Sequence, residues 1–144
     1  MILVFVEHGP EGLDETSLET LRFARDLGAA GGGVAVDAVG VGIAGFAAEL
    51  GDHGVRTAYD VVGDTVSAYS GAAWAAGVLT ARERSGAVVI TAAGTQRGNE
   101  VLAHAATRVD APMAANVISF SGLAPFVVTR QVMGGSALEE MQLG

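Results

Sequence analysis

The stretch that decides the fold is Ile2-Leu3-Val4-Phe5-Val6, followed at once by Glu7-His8. Five apolar residues in a row, most of them β-branched or aromatic, are typical of a central strand that is covered on both faces. A second uninterrupted run, Ala87-Val88-Val89-Ile90, has the same character. The two runs predict neighbouring strands, one and four, at the centre of a parallel sheet.

Working outward from these runs, strands and helices alternate along the chain. The further predicted strands are Val34–Val39, Val55–Val62, Ala114–Phe120 and Phe126–Met133. The predicted helices are one carrying Leu18, Leu21, Ala24 and Leu27 at helical intervals, then Phe46–Leu50, Thr65–Glu83 and Asn99–Val109. This alternation favours right-handed crossovers. We therefore predict one α/β domain over residues 1–144, with a three-layer, Rossmann-like, doubly wound and mostly parallel sheet.

The expected strand order is 3-2-1-4-5, followed by the C-terminal strands. Strand three is placed at an edge because the polar residues Arg56, Thr57 and Asp60 interrupt it, whereas central strands of parallel sheets are almost continuously apolar.

Composition excludes several classes of function. The chain has 144 residues, of which 50% are apolar and 17% charged, so it can bury one substantial core. All 8 basic residues are arginines and there is no cysteine, which removes lysine-dependent and thiolate-dependent chemistry. The net charge of −8 argues against nucleic acid or an anionic membrane as a partner. No targeting segment is recognisable, so a cytoplasmic location is expected.

One motif, Gly40-Val41-Gly42-Ile43-Ala44-Gly45, matches the dinucleotide-binding pattern GxGxxG, and Asp60 lies 20 positions beyond its first glycine. The motif follows the second strand and not the first, and 21 glycines in 144 residues make a chance match easy. A strand-to-helix turn is therefore the preferred interpretation, and an NAD-type dehydrogenase domain the weaker one.

A second candidate site lies where strands one and four end. Open parallel sheets bind ligands beyond the carboxyl ends of their strands, where the strand order reverses. This crevice would bring together His8, Gly94, Thr95 and Arg97, beside Glu7. A helix N-terminus with an arginine nearby could hold an anion, so a stand-alone module binding AMP or ATP is the alternative function. The specific signatures of nucleotide use are absent, and no cofactor site is expected in this segment.

No catalytic or metal-binding cluster is evident. His8, His53 and His104 are isolated in sequence, and no serine lies in a Gly-x-Ser-x-Gly elbow. Trp74 is interpreted as a packing residue of the core or of an interface. The chain is therefore expected not to be an enzyme.

Three segments together carry a resemblance to a known family. The first is Ile2-Leu3-Val4-Phe5-Val6-Glu7-His8 with the helix from Ser17, and the second is the strand and loop from Val88 to Gly98 with its following helix and Pro112. The third is Thr129–Ala137, which is similar to an Arg-x-x-Tyr-Ala-Gly-Asn-Ala stretch with Met133, Gly134 and Ser136 as departures. Taken together they resemble the N-terminal domain of the electron transfer flavoprotein alpha subunit.

The resemblance implies a particular context. Such an alpha subunit pairs with a beta subunit, and the assembly accepts electrons from flavin dehydrogenases and passes them to a quinone-linked acceptor. The resemblance implies that FAD is held mostly by a second, C-terminal domain, so no FAD-contacting residue is carried over to these residues. This domain would then serve as a scaffold and a docking surface.

Two expectations concern the C-terminal region. The element that begins at Ser136 looks incomplete, as in a part of a longer alpha subunit, although a stand-alone paralogue is the alternative. Phe126–Met133 is expected to offer an unpaired strand edge, through which the isolated segment would self-associate.

Overall fold

A computed structural model describes all residues, 1–144, of the chain. Seven strands and four helices of more than one turn make up the fold. The strands are β1 (Ile2–Phe5), β2 (Val36–Val41), β3 (Val55–Val61), β4 (Val89–Ala92), β5 (Val117–Leu123), β6 (Phe126–Val132) and β7 (Ala137–Gln142). The helices are α1 (Glu15–Ala30), α2 (Ala47–Asp52), α3 (Gly71–Ser85) and α4 (Gln96–Val109).

The first four strands form one parallel sheet in the order β3-β2-β1-β4. This confirms the predicted α/β class and the order 3-2-1-4, with β3 at an edge. Ile2, Leu3 and Val4 are fully buried, as their apolar run predicts for a strand covered on both faces.

The edge position of β3 is stabilised through Asp37 of β2. The pairing register shifts between Val36 and Ala38, so that Arg56 and Thr57 both lie opposite this one residue. The fully buried Asp37 carboxylate accepts hydrogen bonds from the Arg56 guanidinium at 3.1 and 3.3 Å and from the Thr57 N–H at 3.1 Å.

Two apolar clusters cover the two faces of the sheet and make three layers. On one face, side chains of β1 and β2 pack against α1 and against Leu50 of α2; on the other, Leu3, Phe5 and Val39 pack against α3 and α4. The three-layer arrangement therefore follows from the alternation of side-chain directions along β1.

The predicted fifth strand does not join this sheet. Residues 111–116 have no strand pairing, and Asn116 adopts a left-handed φ of 60°, which ends an extended run. β5 begins only at Val117 and pairs with β6 in a separate antiparallel sheet of order β5-β6-β7. β4 is consequently an edge strand, so the prediction that strands one and four share the centre is wrong for strand four.

The prediction that Phe126–Met133 offers an unpaired strand edge is also wrong. β6 is the middle strand of the antiparallel sheet, with β5 on one side and β7 on the other. The residues that follow Ser136 form β7, which pairs with β6 from Ala137 to Gln142. This small sheet packs on the α1 face, where the rings of Phe23 and Phe120 meet edge to face at 5.6 Å.

None of the helices is long and apolar enough to cross a lipid bilayer.

Candidate functional site

The carboxyl ends of β1 and β4 do come together, and Glu7 and Thr95 are the residues that join them. The Thr95 hydroxyl donates a hydrogen bond of 2.6 Å to Glu7 Oε2. The same hydroxyl oxygen accepts a bond of 2.9 Å from the Gly98 N–H, so Thr95 is the N-cap of α4. The Glu7 N–H is itself bound by the Ser17 hydroxyl oxygen at 2.9 Å.

This arrangement brings a carboxylate to the end of α4 that favours negative charge. The position that a phosphate would take at a helix N-terminus is therefore adjacent to the chain's own Glu7. An incoming anion would face repulsion from that carboxylate and would compete with it for Thr95. The position of Glu7 therefore disfavours a phosphate or pyrophosphate group at this helix end.

In the same loop, the backbone at Gly98 lies very close to the backbone at the end of β4. A Cβ added at Gly98 would collide with the carbonyl oxygen of Ala93, at the end of β4. Glycine at this position lets α4 begin directly against the strand, which brings Thr95 within reach of Glu7.

His8, although next to Glu7, is turned toward the neighbouring strand β2. Its Nε2 lies 2.8 Å from the Val41 carbonyl oxygen and its Nδ1 lies 3.0 Å from the Gly9 carbonyl oxygen. Its ring contacts the Phe46 ring at a tilt of 47°, with the ring centres 4.7 Å apart. Both ring nitrogens thus lie beside backbone carbonyl oxygens, and His8 connects the loop after β1 to the end of β2.

Arg97 leaves the crevice and lies over two aromatic rings. Its guanidinium carbon is 4.4 Å from the centre of the Tyr69 ring and 5.4 Å from that of Trp74. The Tyr69 and Trp74 rings meet edge to face, with their centres 5.0 Å apart. The Trp74 ring also meets the Phe5 ring of the core edge to face, with the centres 6.3 Å apart. The Trp74 indole N–H donates to the Val66 carbonyl oxygen at 3.3 Å. We call Tyr69, Trp74 and Arg97 the aromatic–arginine cluster.

A carboxylate completes this cluster. The Tyr69 hydroxyl donates a 2.9 Å hydrogen bond to Glu100 Oε1. Desolvation raises the pKa of Tyr69 above its ordinary value, and the hydrogen bond and the negative charge of Glu100 raise this pKa further. The neighbouring Arg97 opposes these effects on the pKa.

The turn after β2 uses its glycines for packing. A Cβ at Gly40 would lie 2.6 Å from Ile43 Cγ2 and 2.8 Å from the Val6 carbonyl oxygen. Gly42 has a φ of +69°, which a tight turn requires. The Asp60 carboxylate accepts a 2.8 Å bond from the Ile43 N–H, so it holds the turn and is engaged where a ribose-binding acid would need to be free. The preference for a strand-to-helix turn over a dinucleotide site agrees with this geometry.

The structure thus separates the four crevice candidates. Thr95 is an N-cap bound to Glu7, Gly94 is exposed, His8 faces β2 and Arg97 belongs to the aromatic–arginine cluster.

Tyr69 was missed by the sequence analysis. A signal was available in the tyrosine and the tryptophan five residues apart at the start of a helix, but nothing in the sequence pairs them with an arginine 23 positions beyond Trp74.

No three histidine, aspartate or glutamate side chains converge in a way that could hold a metal ion. At the carboxyl ends of the strands, Thr95 is hydrogen-bonded to both Glu7 and Gly98. Beside it, the exposed Arg97 lies over half-buried aromatic rings. Tryptophan, tyrosine and arginine are the residue types that carry most binding energy at protein interfaces. The surface therefore suits contact with another protein.

A comparison with models of known protein families places the chain in a family. The family model described as the electron transfer flavoprotein domain matches residues 2–143. No curated protein matches the chain.

Proposed function

Because this chain belongs to the electron transfer flavoprotein domain family, we propose that it is the N-terminal domain of an alpha subunit of an electron transfer flavoprotein. In this role it is part of an electron carrier and not an enzyme. It provides a rigid scaffold and a docking surface for a beta subunit in the cytoplasm.

The observation that carries this proposal is the Glu7–Thr95 contact at the N-terminus of α4. A domain of this topology that used its crevice for a nucleotide would keep that helix end free for phosphate. Here a carboxylate of the same chain lies beside it, and Arg97 stacks on Tyr69 and Trp74 nearby. Both features favour a domain whose function is contact between proteins.

We further propose that FAD is held by other parts of the alpha subunit together with the beta subunit. The turn from Gly40 to Gly45 does not fit the pyrophosphate of FAD, since Gly40 packs against Val6 and Asp60 is bound to Ile43. Flavin dehydrogenases are the proposed electron donors of the assembled carrier, and a quinone-linked protein is the proposed acceptor.

Mixing the chain with an electron transfer flavoprotein beta subunit from the same organism tests the proposal. Gel filtration with light scattering is expected to give a one-to-one complex. An unrelated acidic α/β domain of similar net charge is the control, because an acidic chain can bind a basic partner without specificity. Separate elution of the two subunits at micromolar concentration would contradict the proposal.

The alternative function is a stand-alone module that binds AMP or ATP, and Gly94 gives it some support. This residue is exposed at the mouth of the α4 N-terminus, and nothing lies within 4 Å of a Cβ built on it. A ligand at 100 times its dissociation constant stabilises a protein by about 2.7 kcal/mol, so binding would show as a raised melting temperature. We expect no shift with either nucleotide; a shift that disappears in Gly94→Trp would favour the module.

A further inference from the structure

Three aromatic rings follow one another from the core toward the surface of the chain. Phe5 is buried in β1, and its ring centre lies 6.3 Å from that of Trp74. The Trp74 ring centre lies 5.0 Å from that of Tyr69, and both of these side chains are half-buried. Tryptophan and tyrosine are the aromatic side chains that lose an electron most easily, and electron tunnelling is fast between rings in contact. Trp74 and Tyr69 are therefore placed to exchange an electron.

The Tyr69 hydroxyl already has an acceptor for its proton. It donates a 2.9 Å hydrogen bond to Glu100 Oε1, whereas the hydroxyl of Tyr59, the other tyrosine, bonds to no side chain. A phenol that has lost one electron is a strong acid, and a carboxylate within hydrogen-bond distance can take its proton directly. Oxidation of Tyr69 therefore gives a neutral phenoxyl radical beside a protonated Glu100.

The surroundings of Trp74 disfavour a positive charge on its ring. The indole N–H donates to the Val66 carbonyl oxygen at 3.3 Å, and a carbonyl is too weak a base to take the proton. The Arg97 guanidinium carbon is 5.4 Å from the ring centre, so its charge repels a cation there. Arg97 is closer to Tyr69, at 4.4 Å, but the phenoxyl ring carries no net charge after its proton has left. These effects favour a radical on Tyr69 over one on Trp74.

We propose that Tyr69 reduces an oxidised Trp74 and passes its proton to Glu100. A one-electron oxidant radical first removes one electron from the Trp74 ring. One electron then moves from the Tyr69 ring to the Trp74 ring and restores the indole, while the Tyr69 O–H bond breaks and the proton goes to Glu100 Oε1. A small dissolved reductant of the ascorbate class returns one electron to Tyr69, and the proton comes back from Glu100.

The pair moves an oxidising equivalent away from the core. Trp74 contacts Phe5, whereas the residues on both sides of Tyr69, Ala68 and Ser70, are exposed. The activity is a protective one, since the radical leaves a ring that packs against buried side chains and reaches a phenol that can be reduced again. This inference depends on these side chains alone and does not require the proposed function.

Pulse radiolysis of the full chain in azide solution tests the transfer, because the azidyl radical oxidises tryptophan in preference to tyrosine at neutral pH. The chain has 1 tryptophan, so the first radical is formed on Trp74. Its transient absorption is expected to decay at the rate at which the absorption of a tyrosyl radical rises. This rate should not depend on protein concentration, since both rings belong to the same chain.

Two tyrosine variants identify the electron donor. Tyr69→Phe keeps the ring and its packing but has no hydroxyl proton to give to Glu100, so the transfer should slow at least tenfold. Tyr59→Phe is the matched control and should transfer at the wild-type rate, because the Tyr59 hydroxyl has no carboxylate partner.

Two glutamate variants and D₂O test the proton acceptor. Glu100→Gln keeps an oxygen that can accept the hydrogen bond but takes the proton poorly, so the transfer should slow at least threefold. Glu83→Gln removes the same charge about 13.5 Å further along α3 than Trp74 and should leave the rate unchanged. The wild-type transfer should be slower in D₂O than in water, because the proton moves with the electron.

Three results would overturn the proposal. One is a transfer in Tyr69→Phe that is as fast as in the wild type, which would make Tyr59 the donor. Another is a rate that rises in proportion to protein concentration, which would mean transfer between chains. The third is a wild-type rate in Glu100→Gln together with equal rates in water and D₂O, which would show that Glu100 takes no proton.

Discussion

At the scale of single residues, three acidic side chains connect parts of the fold that are distant in the sequence. Asp37 connects β2 to β3, Asp60 connects β3 to the turn after β2, and Glu7 connects the end of β1 to the start of α4. The hydrogen bonds are 3.3 Å or shorter. The types and positions of these side chains were visible in the sequence, and Arg56, Thr57 and Asp60 correctly indicated an edge strand. Their partners could not be predicted, because each pairing depends on strand register, which one sequence does not specify.

The contact between Asp37 and Arg56 leads to a stability prediction. Arg56→Met leaves a fully buried carboxylate with only the Thr57 N–H as partner. The arginine side chain is 55% exposed, so solvent screens the pair and the expected loss is about 1–3 kcal/mol in the free energy of unfolding. Urea denaturation measures this loss.

The double variant Arg56→Met with Asp37→Asn is the control. The neutral asparagine oxygen can still accept from Thr57, and no buried charge is left. It should therefore be more stable than Arg56→Met alone. A double variant less stable than the single one would contradict the assignment of the loss to an unpaired charge.

The Tyr69 hydroxyl gives a prediction for alkaline pH. Desolvation and the bond to Glu100 raise the pKa of Tyr69 in the folded chain, whereas in the unfolded chain it is about 10. The folded state thus holds this proton more tightly, so the contribution to stability is present below pH of about 10 and is lost as pH rises through the raised pKa.

Absorbance titration of the phenolate in a Tyr59→Phe background isolates Tyr69, since the chain has 2 tyrosines. Adding Glu100→Gln removes the negative charge and should lower the pKa of Tyr69. An unchanged or higher midpoint would show that Glu100 does not act on this hydroxyl.

At the scale of elements, apolar runs predicted the strands well but not which neighbours they pair with. The run at Ile2–Val6 has one outcome, a buried central strand. The run at Ala114–Phe120 has two, since the same residues can extend a parallel sheet or begin a hairpin. The left-handed Asn116 and the pairing of Phe120 with Val128 decide for the hairpin, and neither is a property of hydrophobic pattern.

The start of α4 provides a prediction at this scale. Gly98→Ala should destabilise the chain by about 1–3 kcal/mol, as overpacking does, because the added Cβ collides with the Ala93 carbonyl oxygen and pushes the helix from β4. Thermal unfolding followed by circular dichroism measures the change.

Gly94→Ala is the matched control in the same loop, since its Cβ would meet nothing within 4 Å. It is expected to stay within about 0.5 kcal/mol of the wild type, as surface substitutions usually do. Equal effects of the two substitutions would contradict the account of why glycine occupies position 98.

At the scale of the whole molecule, the domain combines a well-packed parallel sheet, with β3 and β4 at its edges, and a crevice in which Thr95 is bonded to Glu7. In the crevice, the Thr95 hydroxyl is hydrogen-bonded to the Glu7 carboxylate, and Arg97 covers the rings of Tyr69 and Trp74. The sequence predicted the class, the order of four strands and the location of the crevice. It could not predict the hydrogen bond between Thr95 and Glu7, because the bond joins residues 88 positions apart.

The central claim is that this chain supplies scaffold and surface but no flavin site of its own, and the visible absorbance spectrum tests it most directly. The purified chain is incubated with excess FAD and passed through a desalting column. The account predicts a colourless protein, because Glu7 lies at the α4 N-terminus and Asp60 is bound within the glycine turn. Flavin absorbance corresponding to one FAD per chain after the column would contradict it.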